Sequence, residues 1–471
     1  MRDRRGLAVH SSAEALEAYD RALDHLVRFQ VEMVPACVDA VTADPGFALG
    51  HVMNAYMALM STDGAATAEA RERFRSARVD ESVLDARERA HLDAARRWLG
   101  GDMLGAGEVL ASLTIEHPRD LLALSVGHQI DFFTGNARSL RDRIGRSLSS
   151  WGPDEPDYGF LLGMYAFGLE ECNLYGRSEE VGHRALDANS DDVWAIHAVV
   201  HTFEMQGRVP EGISFMRQRE PHWTAGNFLN VHNSWHLALF ALQGDDVEEA
   251  LKIYDRVLLP DGEDDMALHL LDATSLLWRL HLDSHAVGER FRPLADAWAR
   301  CLTPGLYPFN DMHAAMAYVG AGNDTALRSL INELEAVAAK PGSPDTGSLL
   351  TQSVGLPVCR AIRAYGDADH QSVVHDLMDV RLRLHTFGGS HAQRDVVERT
   401  LLLSAIAAGE LDLASSLLSE RLALNEASTW SWEAQARVSA ALGDELKAEA
   451  SRSRALECSS ATGAALSAPE S

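Results

Sequence analysis

The sequence has few cysteines and no long hydrophobic run. Its five cysteines among 471 residues are odd in number and far apart, which argues against a disulfide framework and a CxxC site. No stretch of 18 or more apolar residues occurs, and the charged amino terminus is not followed by an apolar segment. Neither a transmembrane helix nor a signal peptide is therefore expected. These absences predict a cytoplasmic protein with reduced thiols.

Several nucleotide-binding and hydrolase motifs are absent, and positively charged residues are scarce. The chain contains no GxxxxGK[ST], no GxGxxG after a strand and no GxSxG, which argues against ATPases, Rossmann enzymes and α/β-hydrolases. Lys and Arg number 42 against 69 Asp and Glu, a formal charge of −27 with a pI near 5.1. Because nucleic acids and anionic membranes both bind basic surfaces, we expect no nucleic acid and no membrane as partner.

Strand signals are nearly missing, whereas amphipathic stretches of helical period fill the chain. A helix ending in a small residue, a polar residue, and a second helix carrying alanine recur many times. Gly101 and Gly135 are 34 residues apart, as are Gly409 and Gly443. A period near this length is typical of tetratricopeptide repeats, in which one helical pair cannot bury its apolar face and pairs must stack. The pattern predicts an all-α fold, an α-solenoid of degenerate repeats curled around a central groove or pocket.

The repeats do not separate into domains. We expect a single solenoid over residues 1–456, with an N-terminal portion 1–340 and a C-terminal portion 349–456 joined by the Pro/Gly/Ser-rich loop 341–348. The tail 457–471 has almost no large apolar residue and is expected to be disordered.

Twenty histidines are the feature that points to chemistry. His197 and His201 are four residues apart on one predicted helix, with Glu204 on the same face, and His232 and His236 repeat the spacing on a later helix. Both helices are of the type that lines the inner surface of a solenoid, so the two pairs should face each other. A functional cluster and a structural hydrogen-bond network both remain open interpretations.

Other helices of the inner type add polar candidates. They are His128, Glu170, Glu171, Asp272, Arg279 and His313. Placing such groups on an inward face costs desolvation energy, which favours a site over a solvated surface.

Two chemistries fit the histidine pairs. The first is a divalent transition metal such as zinc, held by His197, His201, His232 and His236, since imidazoles spaced four apart on a helix suit such ions. Ala198 stands where an HExxH motif would have its glutamate, so a zincin is not predicted. The second is acid–base work by a histidine paired with Glu204 or Asp272. No other cofactor is implied.

A glycine turn opens a late helix in the segment GGSHAQRD, residues 388–395. Ser390 and Gln393 have the spacing of a capping box, and His391 and Arg394 should project from the first helical turn. An ordinary capped helix start and an anion site, with Arg394 clamping a carboxylate, are both compatible with this pattern. Curling of the solenoid would bring the segment to the histidines.

Taken together, the motifs resemble the tetratricopeptide repeat protein 38 family, of which the chain is identified as a bacterial member. The resemblance rests on WAIHAVVHTFEMQGRVPEGI, VHNSWHLALF, LLDATSLLWRL, NDMHAAMAY and GGSHAQRD, and runs from about residue 43 to 428. It implies a degenerate α-solenoid. It implies no reaction, because the family is named for its repeats. The motif positions it implies are His197, His201, Glu204, His232, His236, Asp272, His313, His391, Gln393 and Arg394.

The favoured hypothesis is an enzyme, a metal-dependent hydrolase or lyase acting on a small polar metabolite in the groove. Its catalytic residues would be His197, His201, Glu204, Asp272 and His391, and its substrate-binding residues Arg394, Gln393, His313, Arg279, Trp235 and Glu171. The alternatives are a scaffold that binds a protein or peptide partner and a small-molecule binding protein without turnover.

Overall fold

The computed structural model describes residues 1–262, 264–339 and 345–466, and this part of the chain is helical almost throughout. It contains no β-strand, only two isolated bridges, Arg2 to Ala8 and Gln30 to Asn227. The helices are α1 (Ala13–Val27), α2 (Met33–Ala43), α3 (Ala48–Met60), α4 (Gly64–Ser76), α5 (Ala86–Leu99), α6 (Met103–Glu116), α7 (Leu121–Phe133), α8 (Ala137–Ser147), α9 (Tyr158–Glu170), α10 (Tyr175–Ala188), α11 (Val193–Met205), α12 (Val209–Trp223), α13 (Asn230–Gln243), α14 (Val247–Ile253), α15 (Ala267–Leu282), α16 (Phe291–Cys301), α17 (Pro308–Gly320), α18 (Asp324–Ala338), α19 (Thr346–Leu350), α20 (Leu356–Gly366), α21 (His370–Val380), α22 (His391–Ala407), α23 (Leu411–Leu424), α24 (Thr429–Ala441) and α25 (Glu445–Leu466).

Short polar residues start the helices and glycines end them, as the sequence pattern predicts. The Asp192 carboxylate accepts hydrogen bonds from the Trp194 and Ala195 amides at 3.1 and 3.0 Å, which caps α11. Gly207, after the end of α11, has φ of +66°, a left-handed conformation that stops the helix.

Each helix packs mainly on its neighbours along the chain, which gives the α-solenoid of helical pairs that the sequence predicts. The inner helices are apolar nearly all round and are buried. In α11 every residue from Val193 to Glu204 is buried. A helix buried on all sides belongs in a core, not on an open groove. The inner helices therefore form the wall of a closed centre.

The later pairs fold back on the earlier ones. The Thr346 amide donates to the Gly101 carbonyl at 2.8 Å, and the Asn310 amide group donates to the Thr62 hydroxyl at 3.0 Å. Helix α22 packs against α11 and α15, and α25 packs against α12. These contacts curl the solenoid and place α22 beside the inner helices.

Two predicted segments differ in the structure. The expected loop 341–348 overlaps α19, which begins at Thr346, and residues 341–344 lie outside the described residues. Helix α25 continues to Leu466, into the segment predicted to be disordered, because its alanines favour helix. Residues 467–471 lie outside the described residues. The division into portions stays a prediction.

Within the described residues, a search for helices long and apolar enough to span a bilayer finds none.

Candidate functional site

Helices α11 and α13 bring four histidines together at the centre of the solenoid. His197 and His201 from α11 and His232 and His236 from α13 each offer one ring nitrogen, and these four nitrogens all lie within 4.8 Å of one another. His232 is partly exposed and the other three are buried. We call these four residues the histidine cluster.

Carboxylates lie behind three of the imidazoles. The Asp272 carboxylate, on α15, is 2.8 Å from His232 Nδ1, and the Glu204 carboxylate is 2.6 Å from His236 Nδ1. Glu170, at the end of α9, is 3.7 Å from His201 Nδ1. An ionised carboxylate can only accept from Nδ1, so in that form Asp272 and Glu204 leave the Nε2 lone pairs of His232 and His236 free for a ligand.

Several ring nitrogens of the cluster lack ordinary partners. Within the described chain, His201 Nδ1, His201 Nε2 and His236 Nε2 are buried without a hydrogen-bond partner. The Nε2 atoms of His197 and His232 are 2.9 Å apart. Leaving a buried polar atom unpaired costs about 1–3 kcal/mol, so this concentration of orphan nitrogens calls for a physical explanation.

Burial sets the charge of the cluster. It lowers the pKa of His197, His201 and His236 well below the ordinary value, and the neighbouring imidazoles lower it further. Burial raises the pKa of Glu204 to about 8, and it raises that of Glu170 well above its ordinary value. The imidazoles of His197, His201 and His236 are therefore neutral at pH 7, which is the form that ligates metals.

Aromatic rings hold the imidazoles in place. The Trp235 ring stacks on His232 with centroids 5.4 Å apart and an interplanar angle of 19°. Trp194 and Phe167 pack on His197 at 4.8 and 5.1 Å. Such packing locks the ring orientations and excludes water.

The GGSHAQRD segment reaches the cluster, as curling of the solenoid predicts. Ser390 and Gln393 form the capping box. The Gln393 amide group also donates to the Asp272 carboxylate at 3.4 Å. The His391 amide donates to Glu171 at 3.0 Å, and the Arg394 guanidinium lies 3.4 Å from the same carboxylate. Gln393 and Glu171 thus hold neighbouring groups of the site in place.

The turn that delivers this segment requires glycine. Gly388 has φ of +90°, and a Cβ there would strike the Tyr307 hydroxyl and lie 2.7 Å from the Phe133 carbonyl oxygen. Gly409 has a similar φ of +78°, but a Cβ there would meet no described atom within 4 Å. Both alanine variants pay the left-handed cost of about 1–2 kcal/mol. We expect Gly388→Ala to lose about 1–3 kcal/mol more, because of overpacking.

Urea unfolding of the two glycine variants beside the wild type measures this difference. Equal free energies of unfolding for Gly388→Ala and Gly409→Ala would mean that the segment is not tightly seated on Tyr307 and Phe133.

A cavity of about 1470 Å³ adjoins the cluster. Its lining includes Glu204, Arg279, His391, Arg394 and Trp430, but none of the four clustered histidines. Glu204 therefore connects the two, because its carboxylate bonds to His236 and also lines the cavity.

The remaining predicted residues are buried away from this lining. His313 is fully buried and its Nδ1 is 2.8 Å from the Phe309 carbonyl oxygen. Trp235 is buried behind His232, and Asp272 is held between His232 and Gln393. Of the six residues predicted to bind substrate, only Arg279 and Arg394 line the cavity.

Sequence reasoning missed the far wall of the cavity. Arg399 and Arg421 flank Asp395 at 3.5 and 2.6 Å, and the Arg399 guanidinium stacks 4.1 Å from the Trp430 ring centroid. The spacing of Asp395 and Arg399, four apart on α22, was the only available signal, and such pairs are common on solvated helices.

Comparisons with known proteins bear on the fold. No family model matches the chain. Two solved structures of similar architecture are a human IFIT1 dimer with PPP-AAAA and a monomeric IFIT1 mutant with Gppp-AAAA. The first is 12% identical with a TM-score of 0.42, over 97% of this chain and 95% of that one. The second is also 12% identical, with a TM-score of 0.40 over 97% and 98%. The tetratricopeptide-like fold is seen in the chain's own stacked helical pairs, and membership in the tetratricopeptide repeat protein 38 family stays a prediction.

One expectation about partners is wrong. We excluded nucleic acid on the charge of −27, but both IFIT1 structures, which share the helical architecture, contain an oligonucleotide. Net charge sums over the whole surface and does not describe a groove. Here the cavity lining has seven arginines against six acidic residues, although the whole chain is strongly acidic.

Proposed function

We propose that this solenoid is a metal-centred binding protein for a small anionic molecule. The histidine cluster holds one divalent transition-metal ion, and the adjoining cavity takes the ligand. The observation that carries the proposal is the convergence of four ring nitrogens within 4.8 Å, on two helices, with carboxylates behind two of the rings.

The donor set fits a transition metal. Neutral imidazoles are the preferred nitrogen ligands of zinc and its neighbours. Two nitrogens on one tetrahedral zinc are about 3.3 Å apart, given Zn–N near 2.0–2.1 Å, so the 2.9 Å contact between His197 and His232 needs only a small adjustment. An ion at the centre also supplies the partner that the orphan nitrogens lack.

Charge around the cluster supports a cation. Four acidic residues, Glu170, Glu171, Glu204 and Asp272, are buried near it, and within the described chain two buried guanidiniums, Arg279 and Arg394, oppose them. Burial raises the pKa of Glu170 and Glu204, so an added cation would stabilise the ionised form of these two side chains.

The cavity supports an anionic ligand. Arg279 is 3% exposed, it lines the cavity, and its nearest carboxylate oxygen, on Asp395, is 4.0 Å away. It donates hydrogen bonds to the Ser275 carbonyl at 3.1 Å, to the Ser275 hydroxyl and to the Ala392 carbonyl at 2.6 Å. Together with Arg394 it presents a site for a carboxylate or phosphate group.

Metal titration tests the proposal. We expect metal-free protein to take up one tight equivalent of Zn²⁺ in isothermal titration calorimetry, and Co²⁺ in its place to give the visible absorption of a tetrahedral nitrogen site. Absence of a stoichiometric equivalent would overturn the proposal. Thermal-shift screening of small carboxylates and phosphates against the Zn²⁺-loaded protein and an Arg394→Gln variant then tests the ligand.

Catalysis is the second candidate function, and Glu204 favours it. Its carboxylate both touches His236 and lines the cavity, so it is placed to exchange a proton with a bound molecule. A Glu204→Gln variant that retains its equivalent of Zn²⁺ and binds the ligand but loses hydrolysis or elimination would support an enzyme. Unchanged metabolites in the presence of the Zn²⁺-loaded wild type favour the binding protein.

Asp272 provides a further prediction about the metal. Its carboxylate accepts from His232 Nδ1, whereas an asparagine amide could donate to that nitrogen and leave Nε2 protonated and unable to ligate. We expect Asp272→Asn to weaken Zn²⁺ binding by about 10–100-fold, as measured by competition with a chromophoric chelator.

Asp120 is the matched control for Asp272. Its carboxylate contacts His91 Nε2 at 3.0 Å in an equally buried setting, remote from the cluster. Asp120→Asn should cost stability and leave Zn²⁺ affinity unchanged. If both variants bind Zn²⁺ as the wild type does, Asp272 does not orient a ligand.

A further inference from the structure

Glu170, Glu171 and His201 form a second group of candidate ligands beside the histidine cluster. Each offers one atom, and these atoms lie within 4.8 Å of one another. All three side chains are buried, with relative exposures of 0, 6 and 0%. His201 is the only residue that belongs to both groups of described candidate ligands.

Glu170 has no hydrogen-bond partner in the described chain at either carboxylate oxygen, although it is fully buried. Other buried acids have donors: Glu171 receives the His391 amide at 3.0 Å and lies 3.4 Å from Arg394. Two adjacent buried carboxylates repel each other unless a proton or a cation lies between them. In the metal-free protein a proton on Glu170, whose pKa is raised well above its ordinary value, removes this repulsion. A cation that replaced this proton would be held by both carboxylates and would give the two orphan oxygens a partner.

His201 can serve both groups because neither of its ring nitrogens has a hydrogen-bond partner. Its Nδ1 faces Glu170, at 3.7 Å from the carboxylate oxygen. The other ring nitrogen is then left for the histidine cluster. An imidazole that ligates through both nitrogens gives up its ring proton, and nearby positive charge makes that loss easier.

We propose that Glu170, Glu171 and His201 bind a second divalent cation, so that the centre of the solenoid holds two ions that share His201. This proposal rests on the proposed function, because the first ion occupies the histidine cluster. Two carboxylates and one imidazole are harder ligands than four imidazoles, and they suit an ion such as Mn²⁺.

The position of the proposed second site suggests that its ion contacts the bound ligand. Arg394 and His391 contact Glu171 and also line the cavity. The second ion would therefore lie nearer to the bound anion than the four-histidine ion does. Paired metal ions commonly clamp phosphoryl and carboxyl oxygens, which identifies the ligand class as a molecule with such a group.

The test counts ions in two stages. Protein loaded with one equivalent of Zn²⁺ is titrated with Mn²⁺, and free Mn²⁺ is followed by its six-line electron paramagnetic resonance signal. We expect one further equivalent of Mn²⁺ to bind. Glu170→Gln should weaken Mn²⁺ binding by at least tenfold and retain the Zn²⁺ equivalent.

Glu88→Gln is the matched control, because Glu88 is also fully buried and contacts His10 outside the site. It should bind both ions as the wild type does. If Glu170→Gln fails to fold, the test uses wild-type protein with Co²⁺ in the first site. A neighbouring Co²⁺ should broaden the electron paramagnetic resonance signal of bound Mn²⁺.

The outcomes separate the two proposals. Uptake of Zn²⁺ without a Mn²⁺ equivalent overturns the second site and leaves the proposed function intact. Mn²⁺ binding that Glu170→Gln does not change also overturns it. Failure to bind Zn²⁺ in the first stage overturns both.

Discussion

His236→Ala should weaken Zn²⁺ binding by more than about 100-fold, because a lost ligand costs more than the 10–100-fold typical of a lost outer hydrogen-bond partner. His236 Nε2 is buried without a partner, and its Nδ1 is held by Glu204 at 2.6 Å, so the ring is oriented for a ligand at the cluster centre. His201→Ala should have an effect of the same order. Competition with a chromophoric chelator measures both affinities.

The matched control for these variants is His128→Ala. His128 is also fully buried on an inner helix, and it accepts a hydrogen bond from Trp194 Nε1 at 3.2 Å, but it is not one of the clustered histidines. Both kinds of variant lose an imidazole from a tight core and should lose stability. Only the cluster variants should lose the metal, so equal Zn²⁺ affinities in His236→Ala and His128→Ala would refute the site.

The sequence predicted the histidine cluster because local spacing was enough. His197 and His201, and His232 and His236, are each four residues apart, which places each pair on one helix face. The helical-pair pattern then predicted that consecutive inner helices are neighbours, and the structure places the four nitrogens together. This part of the fold could therefore be predicted from the helical periodicity and from the order in which the pairs stack.

The partners of the cluster could not be predicted in the same way. Gln393 is 121 positions from Asp272, and Glu171 is 220 from His391, although both pairs are in contact. Small rotations accumulate along a solenoid, and no local pattern records how far it curls. The capping box was predictable from Ser390 and Gln393, but the seating of that turn on Tyr307 was not.

The complete burial of an inner helix was not predicted from the sequence. Amphipathic patterns predict one buried face per helix, yet α11 is buried all round. The apolar residues between its histidines, such as Ala198 and Val199, indicated a helix buried on all sides. Under the proposed function, the cavity at Glu204 and Arg394 would be the route by which a ligand approaches the cluster.

Asp311→Asn should stabilise the protein increasingly as the pH rises from about 4 to 8. Asp311 is fully buried, its carboxylate accepts only from the Gly305 amide, at 3.0 Å, and no cation contacts it within the described chain. Burial raises its pKa to about 8. The folded protein thus keeps this proton while the unfolded chain, with an ordinary pKa near 3.8, loses it.

The sign of the effect follows from proton binding. Between those two pKa values the folded state holds more protons than the unfolded state, so the wild type loses stability as the pH rises, by up to about 1.4 kcal/mol per pH unit. Asparagine does not titrate and escapes this loss. Urea unfolding at pH 5 and pH 8 should therefore give a free-energy difference, variant minus wild type, that grows by several kcal/mol.

Asp120→Asn is the matched control for Asp311→Asn in the same fold. Asp120 is equally buried, but its carboxylate contacts the Arg87 guanidinium at 2.8 Å and His91 at 3.0 Å, which hold its pKa below the ordinary value despite burial. Its stabilisation is complete above the unfolded pKa near 3.8, so this variant should cost the same at pH 5 and pH 8. A buried carboxylate with a cation supports the fold as an ion, and one without a cation supports it as an acid. Equal pH dependence in the two variants would show that Asp311 is ionised in the folded protein, and that a cation reaches it.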